Sequence, residues 1–355
     1  MYNILETKHV LTIVVLLSQA ALCAQTIITI DVPDANGTTA SAINNAGVIA
    51  GSYGDSNQAS HGFLRDLTGA ITTFDVPGAG AAYAEGTVPS AINGAGVITG
   101  WYTDTNVKTH GFLRDGNGGV TTFDAPLDAR GTFATCINDA GSIAGYVTYL
   151  NNLSHAFVRT AGGNISTFDP PGGVESEVVA INAAGDITGW FGDVNSVVHG
   201  FVRAADGTIT TIDAPAGGAS GVGSFPTAIN AAGVIAGYSL DKNYESHGWV
   251  RDVDGTFTLF QAPGAGRGGG PYGTYPASIN TGGKIVGYDL SLKPYYVSHG
   301  VVRGSDGTIT TFEAPGSGTG IQGGTSAASV NDLGLIAGSY LDSNLGSHGF
   351  LLIPQ

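Results

Sequence analysis

A unit of roughly fifty residues recurs seven times between about Ile28 and Gln355, and this periodicity constrains the fold more than any other feature of the chain. Its most regular marker is Ala-Ile-Asn or a close variant, followed three residues after the Asn by Gly, with asparagines at 44, 93, 138, 182, 230, 280 and 331. A second marker is His-Gly-Phe or a variant of it, with histidines at 61, 110, 155, 199, 247, 299 and 348. A third is Phe-Asp-x-Pro, as in Phe74-Asp75-Val76-Pro77 and Phe123-Asp124-Ala125-Pro126, altered to Phe260-Gln261-Ala262-Pro263 in a later copy. One such unit cannot bury its own apolar surface, so the period indicates a solenoid, an array or a propeller.

Within a unit, short β-branched and aromatic runs alternate with Gly, Asn, Asp and Pro, which predicts four strands. In the second copy they are placed at Pro89 to Asn93, Val97 to Tyr102, Gly111 to Arg114 and Val120 to Ala125. Asn93-Gly94-Ala95-Gly96 has the chemistry of a type I turn, and Asp-Gly pairs such as Asp206-Gly207 and Asp254-Gly255 favour tight hairpins. Each unit is therefore expected to be an antiparallel meander. Runs such as Val234-Ile235-Ala236-Gly237-Tyr238 are apolar or small on both faces, so each sheet must be covered on both sides, as stacked blades are.

The two ends of the repeat are complementary. The last copy stops after His348-Gly349-Phe350-Leu351-Leu352, a third strand, while Ile27-Ile28-Thr29-Ile30-Asp31-Val32-Pro33 is an isolated fourth strand. Pairing the two removes an exposed edge. The expected fold is all-β, a seven-bladed β-propeller of four-stranded antiparallel blades, closed by the N-terminal strand lying outermost in the last blade.

Composition bounds the environment. Only 12% of residues are charged, while 42% are hydrophobic and placed in periodic strands, which argues for a packed core. The formal net charge is −15, with no basic stripe, so nucleic acid and anionic membranes are not expected as partners. Lys8, the apolar run Val10 to Leu17 and the small residues up to Ala24 fit a secretory signal peptide over residues 1–24, followed by one domain over 25–355. The apolar run is too short to span a bilayer, so no transmembrane anchor is expected in the mature chain. Cys136 would then be the only cysteine left, replacing the alanine of Ala-Ile-Asn, and is expected to be a buried, unreactive thiol.

These motifs, including the literal His155-Ala156-Phe157, resemble the HAF-type extracellular repeats of bacterial secreted proteins. The resemblance covers everything after the leader in seven agreeing copies. It implies an extracellular or cell-surface address and brings no established activity with it. Some relatives carry a C-terminal sorting helix that is not seen here, which favours release or periplasmic residence.

A histidine repeated in every unit points to the same local hydrogen bond each time rather than to a catalytic group, because catalysis needs a few residues in distinct roles. The Asp/Asn pairs ahead of the histidines, such as Asp55 and Asn57 or Asp241 and Asn243, suit Asx turns. One Asp per unit does not assemble a calcium site, and Asp252-Val253-Asp254-Gly255 has Pro263 where a calcium loop needs Glu. Gly264, Gly266 and Gly269, and likewise Gly318, Gly320 and Gly323, match Gly-x-Gly-x-x-Gly but lead into strands, not helices. No nucleophile turn, cofactor or metal is expected. Trp101, Trp190 and Trp249 occupy repeat positions and are expected to pack blades.

What the repeat leaves unexplained is a set of residues in the longest connections, placed on the face shared by second-to-third and unit-to-unit loops: Tyr83, Glu85, Arg130, Phe133, Glu175, Glu177, Phe225, Arg267, Tyr272, Tyr275, Tyr295 and Tyr296. Aromatics mixed with carboxylates suit a glycan, a peptide or a cell-surface protein as partner. The leading expectation is an exported, non-enzymatic binding module, extracellular or periplasmic. The alternative is a secreted lyase or glycan hydrolase with Glu85, Glu175 or Glu177 as its carboxylate and Arg130 as electrostatic partner.

Overall fold

The computed structural model describes residues 25–126, 129–215, 223–266, 270–291, 296–320 and 322–354. Residues 1–24, which carry the signal-peptide expectation, and the candidates Arg267 and Tyr295 lie outside the described residues.

The described chain is all-β, with 28 strands and no α-helix. Every unit repeats one local logic. A first strand, such as Gly86–Ile92, ends at the motif asparagine. The Asn93 carbonyl accepts a bond from Gly96 N at 3.0 Å, and its side-chain Oδ1 accepts from Val97 N at 2.9 Å, which reverses the chain into Ile98–Thr103. Thr109–Arg114 and Val120–Phe123 complete the antiparallel meander. The first strand thus starts three residues before the expected Pro89. Its opening glycine is required there: Gly86 sits at φ 108°, and a Cβ would lie 2.0 Å from the Ser60 carbonyl oxygen of the preceding unit.

That close approach links neighbouring units through single parallel pairings, Ser60 with Gly86 and Thr109 with Gly131 among them. The strands so joined form one sheet of 16 and one of 12, neither of which closes on itself. One break falls between the third and fourth units, where Glu175 stands in place of the opening glycine. At the other break, Thr26–Ile30 pairs antiparallel with Ser347–Ile353, Ile28 opposite Leu351. Thr26–Ile30 thereby takes the fourth-strand place in the last unit.

The core lies between units. Ala50 and Val76 of the first unit pack with Ile92, Ile98, Tyr102 and Phe112 of the second, and Ala337 and Leu351 of the last pack with Ile30, Ala40, Ile49 and Phe63. Arg114, Arg159 and Arg203 each lie about 5 Å above a phenylalanine ring of the preceding unit. Sheets covered on both faces explain why the strands do not alternate polar and apolar residues. Cys136 is buried as expected, and burial pushes its thiol up to about 12, which removes it as a nucleophile.

Candidate functional site

The seven first strands line one shared central cavity of about 260 Å³, through Ser41, Ser90, Thr135, Val179, Thr227, Ala277 and Ala328 among others. At the end formed by the first-to-second turns, the seven motif asparagines form a circuit. Asn44 Nδ2 donates to the Asn93 carbonyl, Asn93 to Asn138, Asn138 to Asn182, Asn182 to Asn230, Asn230 to Asn280, Asn280 to Asn331 and Asn331 back to Asn44, at 3.0–3.3 Å. Each carboxamide therefore builds its own turn through Oδ1 and reaches the next unit through Nδ2. The motif's turn function was legible in sequence; the second bond was not.

Toward the opposite end, two residues before the cavity-lining position, the first strands carry Thr39, Val88, Phe133, Glu177, Phe225, Tyr275 and Ser326. The cross-strand partners of these residues are Ser52, Trp101, Tyr146, Trp190, Tyr238, Tyr288 and Ser339. Over five consecutive units these make an aromatic belt. Trp101 meets Phe133 edge-on at 5.7 Å, Phe133 stacks on Tyr146 at 4.9 Å, Trp190 lies 6.4 Å from Phe225, Phe225 stacks on Tyr238 at 5.0 Å, and Tyr275 joins Tyr238 to Tyr288 at 5.0 Å each. All these rings are partly exposed. In the last and first units the belt gives way to Ser326, Ser339, Thr39 and Ser52.

Glu177 interrupts the rings between Tyr146 and Trp190. Burial raises its pKa, a hydrogen bond from Ser154 opposes that, and the Glu175 charge adds to it. Burial, then the Glu177 charge, pushes Tyr146 up to about 12, and burial does the same to Tyr238. Glu175 and Glu177 are two residues apart on one strand, so their side chains project from the same side.

No family model and no curated protein matches the chain. Solved structures do. A streptogramin B lyase is similar over 92% of this chain and 98% of its own, at 15% identity and a TM-score of 0.59. Virginiamycin B lyase from Staphylococcus aureus is similar over 93% and 100%, at 15% identity and a TM-score of 0.58. A structure from a study of two prolyl endopeptidases is similar over 91% of this chain and 51% of its own, at 10% identity and a TM-score of 0.57. The fold is a β-propeller.

The propeller redistributes the sequence candidates. Phe133, Glu175, Glu177, Phe225 and Tyr275 were expected in loops and instead stand in first strands, because each strand begins at or near its opening glycine. Four of the five share the belt position. Trp101 and Trp190 also belong to the belt rather than to packing between sheets, whereas Trp249 is fully buried as expected. The signal for the two belt tryptophans was present: their repeat position is Ser in two units and aromatic in the other five.

The other candidates do not converge. Tyr83 is 74% exposed at a loop tip, and Glu85 accepts a bond from Ala82 N at 3.0 Å, closing its own turn. Arg130 donates to Asn152 Oδ1 at 3.1 Å and lines a separate cavity of about 370 Å³ with Phe133. Tyr272 is buried beneath Tyr296, rings 5.6 Å apart, and so cannot present its face to a ligand.

The propeller's histidines behave locally. His61, His110, His155, His199 and His348 bond through Nδ1 to Asp75, Asp124, Asp169, Asp213 and Asp31 at 2.7–3.0 Å. Asp55, Asp104, Asp193, Asp241 and Asp342 each accept two backbone amides within their own turn. Among the described residues no helix is long and apolar enough to cross a membrane.

Proposed function

We propose that this chain is an exported, non-enzymatic binding module of the HAF-repeat type, a seven-bladed propeller closed by its N-terminal strand, which holds a neutral glycan against the aromatic belt. The observation carrying this is the level of partly exposed rings from Trp101 to Tyr288, interrupted only by Glu177, since aromatic faces stack on the apolar faces of sugar rings. Hydroxyls from Ser52, Ser326 and Ser339 across the opening suit sugar hydroxyls. The acidic balance of the chain disfavours anionic polymers. Seven units, the asparagine circuit returning to Asn44 and the end-strand pairing support the closed ring.

A glycan and peptidoglycan-fragment array tests it. Binding is expected, weakened roughly tenfold by Trp190→Ala or Tyr275→Ala, about 1.4 kcal/mol, and unchanged by Tyr83→Ala. Binding that survives both belt substitutions would refute the assignment, and a response only to peptides or proteins would replace the glycan. One observation favours a second reading, a glycan hydrolase or lyase: Glu177 is a carboxyl held toward its protonated form beside Glu175. Product release abolished by Glu177→Gln would establish it.

A further inference from the structure

Around His247 the repeat departs at three positions together. Across from the motif histidines the second strands carry Tyr53, Tyr102, Val147, Phe191, Ser239, Asp289 and Tyr340. The rings of Tyr53, Tyr102, Phe191 and Tyr340 stack on their imidazoles at 4.9–5.1 Å. Opposite His247 that ring is replaced by Ser239. The aspartate that bonds the imidazole in five other units is here Gln261, whose Nε2 donates to the Ser246 carbonyl. Two residues before the histidine, where other units have Ala59, Lys108, Leu153, Val197, Val297 and Gly346, stands Glu245.

The exchanges bring three ligand-bearing side chains together. One ligand atom each from Asp241, Glu245 and His247 lies within 4.8 Å of the others, the only such trio among the described residues. Asp241 Oδ1 is engaged by the Asn243 and Glu245 amides at 2.8 and 2.9 Å, which fixes the carboxylate and leaves Oδ2 facing His247 Nε2 at 3.6 Å. A second observation is independent of the trio. Ser239, directly across from His247 and fully buried, has a hydroxyl with no hydrogen-bond partner, and Gln261 Oε1 is likewise buried and unpartnered. A buried hydroxyl left unsatisfied across the strand pair from the imidazole is costly, and it is an outer group that a bound ion with its water would engage.

We propose that Asp241, Glu245 and His247 bind one divalent transition-metal ion of the zinc class, with Ser239 and Gln261 as outer contacts. An imidazole with two carboxylates suits such an ion, whereas calcium needs six to eight oxygens. Three protein ligands leave a coordination position open to water or an external group. This departs from the expectation that the chain holds no metal.

The test is calorimetric titration of the purified, chelator-stripped protein with zinc chloride. One saturable site per chain is expected, weakened roughly tenfold or more by Glu245→Gln and by His247→Gln, and unaffected by His199→Gln, the same repeat position flanked by Asp193 and Asp213. If His247→Gln does not fold, Glu245→Ala restores the residue of the first unit and serves in its place. Absence of saturable binding, or equal binding by Glu245→Gln and the parent, overturns the site; Glu245 would then only replace the missing aspartate as a partner of the imidazole.

Discussion

Val107 holds a φ of 61°, a left-handed conformation costly for a β-branched residue, at a loop tip where it is 67% exposed. The equivalent residue of the next unit, Asn152, suits that conformation. Val107→Asn is therefore expected to stabilise the protein by about 1 kcal/mol, measured by denaturant unfolding; no gain would mean that the valine side chain contributes to stability despite its exposure. Glu177 gives a pH-dependent case. Its raised pKa means the folded state favours the neutral carboxyl, so its contribution to stability is present below about 4.5 and is lost as pH rises through the folded-state value. Glu177→Gln should match the parent in acid and melt higher than it toward neutral pH; coincident melting curves across that range would remove the burial argument. At this scale the sequence was legible where residues repeat. Five of the histidines keep the local bond that a side chain repeated in every unit implies, while the belt was legible only as unexplained aromatics, since its position varies from unit to unit.

Strands and turns obey two kinds of constraint, only one of which shows as a hydrophobic pattern. Apolar runs located the strands, but their starts were misplaced because the opening glycine looks like a breaker and is in fact the point where two units touch. Gly86→Ala would push a Cβ to 2.0 Å from the Ser60 oxygen, whereas a Cβ added to Gly96, at φ 77° in a turn, would have nothing within 4 Å. Gly96→Ala is expected to cost about 1 kcal/mol from backbone conformation alone, and Gly86→Ala clearly more, up to about 3 kcal/mol; equal losses would show that the contact between units is not tight. The asparagine turns carry a similar hidden load. Asn93→Ala removes the acceptor for Val97 N and the donor to the Asn138 carbonyl, both buried or partly buried, and is expected to cost about 2–3 kcal/mol in equilibrium unfolding. Asn93→Asp, which keeps the acceptor for the turn but loses the donor, separates the two roles.

For the whole molecule, a ring of units stabilises each member through two neighbours, so the junction of the last and first units decides whether the assembly behaves as a closed body or as an open stack with two ends. That junction is held by Ser347 Oγ donating to the Thr38 carbonyl at 3.1 Å, by Asn45 and Asp332 exchanging bonds at 2.8 and 2.9 Å, and by the core shared among Ile30, Ala40, Ala337 and Leu351. The complementarity of the two chain ends was readable from phase alone, because a missing fourth strand at one end matched a spare one at the other; the asparagine circuit and the Asn45–Asp332 exchange depend on distances that no periodicity encodes. Removing residues 25–33 should strip the outer partner from Ser347–Ile353, which keeps its pairing with Ile336–Leu341, and leave an apolar strand edge open, so the truncated protein is expected to associate in size-exclusion chromatography and to melt well below the parent. Appending the same nine residues after Gln355 through a short flexible linker should return it to the parent's elution volume, since a fourth strand arriving from the other terminus fills the same place. A truncated chain that elutes and melts as the parent does would show that the end strand decorates the last unit without closing the ring.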